Sequence, residues 1–192
     1  MFCRTWQEVS PILSWDHRPA ARRLWELAAT GGEGTIVEIG SYLGNSTVYL
    51  ARSGGEVHAI DPHSPQSMTQ LHPAGEVSEC FLENLERFSV SDHVRYHRLT
   101  SLEAAREWNG QKIRLLFIDG LHTREAVLSD YHAWQRHLAH QHAVLFDDFL
   151  WPEVDQAVRE LRAEVRPRYF YVRDGQAIFS TRRLGLRQAG LP

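Results

Sequence analysis

Acidic residues follow two of the strands that the sequence predicts, and they are the side chains best suited to chemistry. Asp119 ends the apolar run IRLLFID, and Asp147 and Asp148 end the later run AVLFDD. Neighbouring parallel strands would bring the three carboxylates together, where each raises the pKa of the others unless a cation neutralises them. Oxygen ligands favour Mg²⁺ over zinc. The alternative is that Asp147 or Asp148 only caps the helix that begins near Pro152.

A glycine-rich turn is the second chemical signal. In the stretch TIVEIGSYLGNS, residues 35–46, an apolar run that contains Glu38 leads into Gly40 and Gly44, and Ser46 opens a helical pattern. This order predicts a strand, a turn and a helix, the first unit of a doubly wound α/β domain. The helix N-terminus leaves amide N–H groups free for an anionic or polar ligand group. The glycine spacing differs from the G-x-G-x-x-G of dinucleotide-binding loops.

The next two predicted strands also end in residues that could contact a nucleoside. The strand at residues 56–61 ends in Asp61, 23 positions after Glu38. An acid at about this position binds ribose hydroxyl groups in folds of this class. The strand at residues 94–99 is followed by Thr100 and Ser101, either of which can cap the next helix. A second interpretation, which is compatible with capping, places this turn beside an adenine.

The elements that must position these residues alternate along the chain. The predicted strands are residues 36–39, 56–61, 94–99, 113–119, 143–147, 168–172 and 176–180. Amphipathic patterns predict helices between the first five strands, including one over residues 123–138, and Asp174-Gly175 between the last two strands is a strong hairpin signal. The sequence therefore predicts a single α/β domain. Its sheet is Rossmann-like, doubly wound and mostly parallel, with a C-terminal antiparallel hairpin.

Two segments lie outside this alternating pattern. Residues 1–30 are predicted to cover the sheet, with a helix from Asp16 to Ala29. Trp6 and Trp15 could instead roof a substrate pocket or serve as a homodimer contact. Residues 62–77 contain three prolines and no apolar period, which predicts a long loop. A loop of this length beside the ligand edge of the sheet is typical of a lid.

The composition argues against several classes of function. The formal net charge is −3, so no basic bias favours nucleic acid as a partner. Cys3 and Cys80 are too few for a disulfide framework, which suits a reducing cytoplasm. No stretch approaches the length of a membrane span, so we expect no membrane partner. Lys112 is the only lysine, which leaves no lysine general base near the acidic strand ends.

Together these features resemble the class I S-adenosylmethionine-dependent methyltransferases, whose seven-stranded sheet has one reversed edge strand. The resemblance spans roughly residues 35–180. The segments IDGLH and FDDF are similar to the metal-dependent O-methyltransferases, which include the catechol type and, more closely, the small-molecule and sugar O-methyltransferases of natural-product pathways. By position, the resemblance implies that Asp119, Asp147 and Asp148 hold Mg²⁺, and that the ion binds two adjacent substrate hydroxyl oxygens.

The resemblance also implies the catalytic and cofactor residues. The catechol type has a lysine base three residues after its first acid, where this chain has His122. His122, beside Asp119, is therefore the candidate general base, and we expect a neutral imidazole at pH 7. The cofactor would be S-adenosylmethionine, in contact with Glu38, Gly40, Ser41, Gly44 and Ser46 at the methionine end, Asp61 at the ribose, Thr100 and Ser101 at the adenine, and Asp119.

Two departures from the sugar-type pattern concern the acceptor rather than the reaction. Residues 139–142 stand where that pattern has a Pro-Gly-Gly turn, and Arg124 stands where it has an aromatic residue. The resemblance thus implies O-methylation of a small hydroxylated molecule without naming it. The alternatives are a metal-independent N- or O-methyltransferase of the same fold with His122 as its sole base, and a non-catalytic cofactor-binding subunit.

Overall fold

A computed structural model describes residues 18–64 and 74–185. The helices are α1 (Arg18–Ala29), α2 (Asn45–Arg52), α3 (Ala74–Arg87), α4 (Ser101–Glu107), α5 (Arg124–Trp134) and α6 (Pro152–Val165). The strands are β1 (Thr35–Ile39), β2 (Val57–Ile60), β3 (Val94–His97), β4 (Ile113–Ile118), β5 (Leu138–Phe146), β6 (Tyr169–Arg173) and β7 (Gln176–Ser180). Short 3₁₀ helices at Ser91–His93 and Gln135–His137 lead into β3 and β5.

The seven strands form one sheet in the order β3-β2-β1-β4-β5-β7-β6. The first five strands of this order are parallel, and β7 runs antiparallel to both β5 and β6. The α/β fold, the mostly parallel sheet and the C-terminal hairpin are confirmed. The reversed strand, however, is not at the edge. β7 lies second from the edge because it pairs with β5, and β6 forms the edge beyond it.

The sheet has a hydrophobic core on each face. Every residue of β1 and β4 is buried, as expected of central parallel strands that are covered on both sides. Ile36 packs on one face with residues of α1, α2 and α3, whereas Val37 packs on the other with residues of α4, α5 and α6. Packing on both faces therefore fixes the ends of β1 and β4, and with them the positions of the turns that follow.

The structure corrects the predicted helix over residues 123–138. The helix ends at Trp134, and Leu138 begins β5, where it pairs with Ile113 of β4. Leu138 continues the helical spacing of apolar residues in the sequence, so the periodicity alone assigns it to the helix. Its pairing with β4 is a tertiary contact that overrides this local pattern.

The predicted covering segment and lid are described only in part. α1 ends at Ala29, as expected for the helix within residues 1–30. α3 begins at Ala74, so the loop predicted over residues 62–77 ends earlier than expected. Residues 1–17, which include Trp6, Trp15 and Asp16, lie outside the described residues, as do residues 65–73 and 186–192.

Candidate active site

The strands β1, β4 and β5 end side by side at one edge of the sheet, which we call the carboxyl edge. Two backbone hydrogen bonds continue the ladders just beyond the strands. Asp119 N donates to Ile39 O at 2.9 Å, and Asp147 N donates to Ile118 O at 3.0 Å. The turn after β1 and the acidic residues after β4 and β5 therefore face the same region, as the parallel arrangement predicts.

Both glycines of the turn after β1 are required by the packing of the protein itself. Gly40 has φ +84°, and a Cβ there would lie 2.1 Å from the carbonyl oxygen of Asp119. Gly44 has φ +85°, and its Cβ would lie 3.0 Å from the ring of Phe81. Both φ values lie in the left-handed region, which glycine adopts readily. A close approach of ligand is thus not needed to explain these two residues.

The Asp61 carboxylate organises the turn after β1. Its Oδ2 accepts hydrogen bonds from Ser41 N and Tyr42 N, each at 2.9 Å, and its Oδ1 accepts one from His63 N at 2.8 Å. These charge-assisted bonds tie the end of β2 to the turn. Asp61 therefore has a structural role in addition to the ribose contact predicted from the sequence.

His63 supports the same turn and was not identified from the sequence. Its ring is buried, with Nε2 2.9 Å from Tyr42 O and Nδ1 2.5 Å from the Tyr96 hydroxyl. Burial lowers the pKa of His63, which favours the neutral ring. No sequence signal distinguishes this histidine, because its partners come from β3 and from a turn 21 residues earlier.

Glu38, near the end of β1, is a buried acid with an incomplete set of partners. Thr47 Oγ1 donates to Glu38 Oε2 at 2.5 Å. Glu38 Oε1 and the hydroxyl of Ser41 are buried and have no hydrogen-bond partner among residues 18–64 and 74–185. Burial raises the pKa of Glu38 to about 7, although the hydroxyl groups of Ser46 and Thr47 counteract part of this rise. A cationic ligand group would satisfy these atoms.

Thr100 and Ser101 are both engaged at the start of α4. Thr100 is the N-cap, and it forms a capping box in which its hydroxyl and the Glu103 carboxylate each accept a hydrogen bond from the other residue's backbone N–H. Ser101 Oγ accepts a hydrogen bond from Trp134 Nε1 at 3.0 Å. The capping interpretation is confirmed for Thr100. Contact with an adenine remains a prediction for both residues.

Three side chains converge at the ends of β4 and β5. His122 Nε2 lies 3.0 Å from Asp148 Oδ2 and 3.7 Å from Asp119 Oδ1. Burial raises the pKa of Asp119. The carboxylates of Asp119 and Asp148 raise the pKa of His122 to about 10, so the ring is protonated at pH 7 in the protein alone. Without an ion, these carboxylates favour the protonated ring over the neutral imidazole expected from the sequence.

The ligand-type atoms of Asp119, His122 and Asp148 lie within 4.8 Å of one another, close enough to hold one metal ion. Asp147, which the sequence places in the ligand set, is not part of this trio among the described residues. Its charge raises the pKa of Asp119, and its Oδ1 accepts a hydrogen bond from Asp148 N at 3.0 Å. The structure thus brings together two of the three predicted carboxylates, with His122 beside them.

The turn after β5 positions Asp148 without using either acid as a helix cap. Asp148 has φ +48°, a left-handed conformation that aspartate tolerates better than most residues. The N-cap of α6 is Trp151, which makes no side-chain capping bond. Neither acid is therefore the N-cap residue of α6.

Large exposed apolar side chains follow β4 and β5, and one of them contacts the trio. Leu121 follows β4, Leu150 and Trp151 follow β5, and their exposed fractions are 58%, 79% and 55%. The Trp151 ring lies 5.2 Å from the His122 ring, measured between centroids. Exposed apolar groups next to convergent polar groups are typical of a small-molecule site. The sequence analysis identified none of the three.

Arg124, a departure from the sugar-type pattern, is directed towards α6. Its Nε and Nη2 donate to the two carboxylate oxygens of Glu160 at 2.8 and 2.5 Å, and Nη1 donates to Glu125 at 3.0 Å. These carboxylates raise the pKa of Arg124 above its ordinary value. The guanidinium joins α5 to α6.

No helix in the described part of the chain is long and apolar enough to cross a membrane.

Comparison with known proteins identifies similar domains. A family model described as a methyltransferase domain matches residues 37–149, more than half of the chain. The structure of the O-methyltransferase NovP is similar with a TM-score of 0.67 and 14% sequence identity, over 85% of this chain and 78% of NovP.

Two further similar structures were solved with the cofactor or its product. The O-methyltransferase TomG from Streptomyces achromogenes, involved in tomaymycin synthesis and in complex with S-adenosylmethionine, has a TM-score of 0.64 and 18% identity, over 85% of this chain and 80% of TomG. An O-methyltransferase from Bacillus cereus, in complex with S-adenosylhomocysteine, has a TM-score of 0.65 and 18% identity, over 91% and 89% of the two chains. At these identities the similarity shows a shared fold.

Proposed function

The chain belongs to the methyltransferase domain family, and from this premise we propose that it transfers the methyl group of S-adenosylmethionine to a hydroxyl oxygen of a small molecule, with a divalent ion, Mg²⁺, at the carboxyl edge. The convergence of Asp119, His122 and Asp148 next to the glycine turn carries the proposal. NovP, TomG and the Bacillus cereus protein are all described as O-methyltransferases, which supports the choice of oxygen as the acceptor atom.

The cofactor is proposed to bind along the ends of β1, β2 and β3. Glu38 Oε1 and Ser41 Oγ, both buried without a partner among the described residues, fit the cationic amino group of a methionine moiety. Gly40, Gly44 and Ser46 shape the same turn. The remaining contacts follow by position: Asp61 with the ribose hydroxyls, Thr100 and Ser101 with the adenine, and Asp119 between cofactor and acceptor.

The proposed ion is held by Asp119 and Asp148. The ligand-type atoms of these two acids and of His122 lie within 4.8 Å of one another, and His122 Nε2 lies 3.0 Å from Asp148 Oδ2 and 3.7 Å from Asp119 Oδ1. The third protein ligand would be either His122, as in the observed trio, or Asp147, as the resemblance implies. Hard carboxylate oxygens favour Mg²⁺, whereas an imidazole ligand would favour a softer metal.

The chain's own residues have distinct parts in the proposed reaction. S-adenosylmethionine supplies a methyl group already activated on a sulfonium, so the protein has mainly to align the acceptor oxygen with it. If Asp147 rather than His122 completes the ligand set, the lone pair of His122 Nε2 would be available to accept the hydroxyl proton, once an ion has neutralised the carboxylates that keep the ring protonated. Trp151 and Leu121 provide apolar contacts to the acceptor.

A second candidate function has its own supporting observation. The pKa of Asp119 is raised to about 8, so at pH 7 protonated His122 faces one ionised carboxylate, Asp148, and the pair is neutral without an ion. This arrangement removes the electrostatic need for an ion and favours a metal-independent methyltransferase of the same fold, in which His122 is the base in its deprotonated form. A non-catalytic cofactor-binding subunit is the third alternative, which methyl transfer by the purified chain would exclude.

Metal removal distinguishes the first two candidates. After exhaustive chelation and dialysis, Mn²⁺ binding is measured by electron paramagnetic resonance, and methyl transfer from labelled S-adenosylmethionine is measured against a panel of catechols and other small diols. We expect stoichiometric Mn²⁺ binding, and transfer that is lost on chelation and restored by Mg²⁺. Full activity in the chelated protein would exclude the metal-dependent function and leave His122 as the base.

A further inference from the structure

A second polar cavity lies at the opposite edge of the sheet, where β1 and β4 begin. Its volume is about 380 Å³, and its walls include Arg114 and five glycines, which are Gly31, Gly32, Gly34, Gly54 and Gly55. The carboxyl ends of the strands, where methyl transfer is proposed, lie at the far end of β1 and β4. The cavity is therefore separate from the proposed active site.

Arg114 reaches this cavity because β4 is irregular at that position. Thr35 pairs with Ile113 and Ile36 pairs with Leu115, so Arg114 is the extra residue of a bulge. Bulges redirect a side chain out of the regular alternation of a strand. Arg114 Nη1 then donates to Ala28 O, at the end of α1, at 2.8 Å.

The guanidinium of Arg114 is buried without an acidic partner. Arg114 is 8% exposed, and no carboxylate among residues 18–64 and 74–185 lies within ion-pair distance of it. Burial lowers its pKa, and the nearby charge of Arg182 lowers it further. An arginine keeps its proton in proteins, so the positive charge persists. Buried charges are normally paired, which makes this one unusual.

The surrounding groups do not neutralise the two arginines. Arg182 donates to Gly31 O at 3.3 Å and to Thr30 Oγ1 at 2.7 Å, again at the end of α1. A helix C-terminus carries only about half a negative charge, against two full positive charges. Glu56, the one acid among the residues that line the cavity, contacts His58 and Arg95 instead. Among the described residues, Arg114 therefore has no carboxylate partner in the cavity, and Arg182 adds a second positive charge nearby.

One glycine of the cavity packs directly against the guanidinium, and two others border open space. A Cβ on Gly55 would lie 2.7 Å from Arg114 Nη2, so even alanine there would displace the group. A Cβ on Gly31 or Gly54 would meet no atom within 4 Å, so the wall is open at both residues. We propose that this cavity binds a phosphate group, held by the planar fork of Arg114, with the positive charge of Arg182 nearby. Arginine recognises phosphate oxygens in this bidentate manner.

The bound group can be inorganic phosphate or the phosphate of a monoester, because the cavity is larger than a single ion. Binding places a dianion beside two arginines that the fold leaves without an acid. It therefore stabilises the folded protein, and the unfolding temperature reports occupancy in the absence of any methyl acceptor.

Thermal unfolding in phosphate and in chloride of equal ionic strength tests the proposal. At 10 mM phosphate we expect the unfolding temperature to be about 3 °C higher than in chloride. This concentration is too low for the general stabilisation that excluded salts cause. Arg114→Gln should abolish the gain. Arg159→Gln, which removes an exposed arginine paired with Asp155 on α6, should retain it.

Two further arms make the result decisive. Arg114→Lys keeps the charge without the planar fork, so it decides the matter if Arg114→Gln fails to fold; we expect at least half of the gain to be lost. Glycerol 2-phosphate tests whether the cavity accepts a monoester. The same gain in unfolding temperature would show that it does, and no gain would restrict the cavity to the free ion. Equal unfolding temperatures in phosphate and chloride for the wild type, or an undiminished gain in both Arg114 variants, would overturn the proposal.

Discussion

The two halves of the carboxyl edge are built from neighbouring strand ends but are held together differently. On the β1–β2 half, one carboxylate, Asp61, accepts three backbone hydrogen bonds and closes the glycine turn. On the β4–β5 half, Asp119 and Asp148 meet His122 through side chains that remain partly exposed. In the β1–β2 half the carboxylate is satisfied by backbone groups of the protein, whereas in the β4–β5 half the side chains pair with one another and a ligand could take the place of a partner.

This difference separates stability from ligand binding. Removing a carboxylate that several backbone N–H groups depend on leaves those groups unsatisfied, so the folded state loses free energy. Removing one member of a partly exposed charge cluster changes stability little, because solvent screens the pair. The same type of substitution, an acid to its amide or to alanine, should therefore have opposite consequences in the two halves.

The largest effect is expected for Asp148→Asn. The variant should bind Mn²⁺ more than about 100-fold less tightly than the wild type, because loss of a direct ligand exceeds the 10- to 100-fold typical of outer contacts. Its free energy of unfolding should change by about 1 kcal/mol or less. Paramagnetic resonance titration and urea denaturation measure the two quantities.

Asp147→Asn is the matched control for that variant. Asp147 is one residue away but lies outside the trio, so its substitution should weaken Mn²⁺ binding by only about 10-fold. Equal losses in the two variants would favour the ligand set implied by the resemblance, in which both acids bind the ion. Unchanged Mn²⁺ affinity in both variants would mean that the ion does not bind at the β4–β5 half.

The next effect is expected for Asp61→Ala on the other half. Three backbone N–H groups lose their acceptor, so the free energy of unfolding should fall by about 2–4 kcal/mol. Asp61→Asn retains an acceptor oxygen and should lose about half as much. Cofactor affinity, measured by calorimetry, should fall in both variants because the turn loosens. If Asp61→Ala kept wild-type stability and lost only cofactor affinity, Asp61 would have no structural role and would act only through the ribose contact.

The two halves were also unequally predictable from the sequence. The alternation of apolar runs and glycine turns identifies β1, β2, β4 and β5, since local patterns specify strands that are buried on both faces. The acids Asp119 and Asp148 could be placed at one edge because parallel strands end together. The position of His122 beside Asp119 was also predicted, but its contact with Asp148, which lies in a turn at φ +48°, was not.

Contacts between distant segments account for what the sequence did not reveal. His63 and Tyr96 meet across β2 and β3, and Trp151 reaches His122 from a different loop. Arg114 appears in the sequence as one polar residue in an apolar strand, and only the register of β4 against β1 shows that it is a bulge. Spacing along one strand or helix contains no information about these pairings.

The smallest expected effect concerns Glu38, which belongs to the closed half but lacks a partner for one oxygen. Its pKa is raised from about 4.5 to about 7, so between these values the folded state retains a proton that the unfolded chain has lost. Stability therefore falls as the pH rises from 4.5 to 7 and then levels off. The size of this fall is on the order of 1–3 kcal/mol.

Glu38→Gln should remove this dependence, because glutamine is neutral at every pH of the experiment. Urea denaturation of wild type and variant at pH 4.5 and pH 8 gives the difference in free energy of unfolding, in which the titration of all other groups largely cancels. As the pH rises, the free energy of unfolding of the variant should increase relative to that of the wild type. Glu107→Gln, on the exposed end of α4, is the control and should show no such trend. A pH-independent difference for Glu38→Gln would mean that the buried carboxylate is already compensated within the fold, and the case for a cationic ligand group at Glu38 would lose its basis.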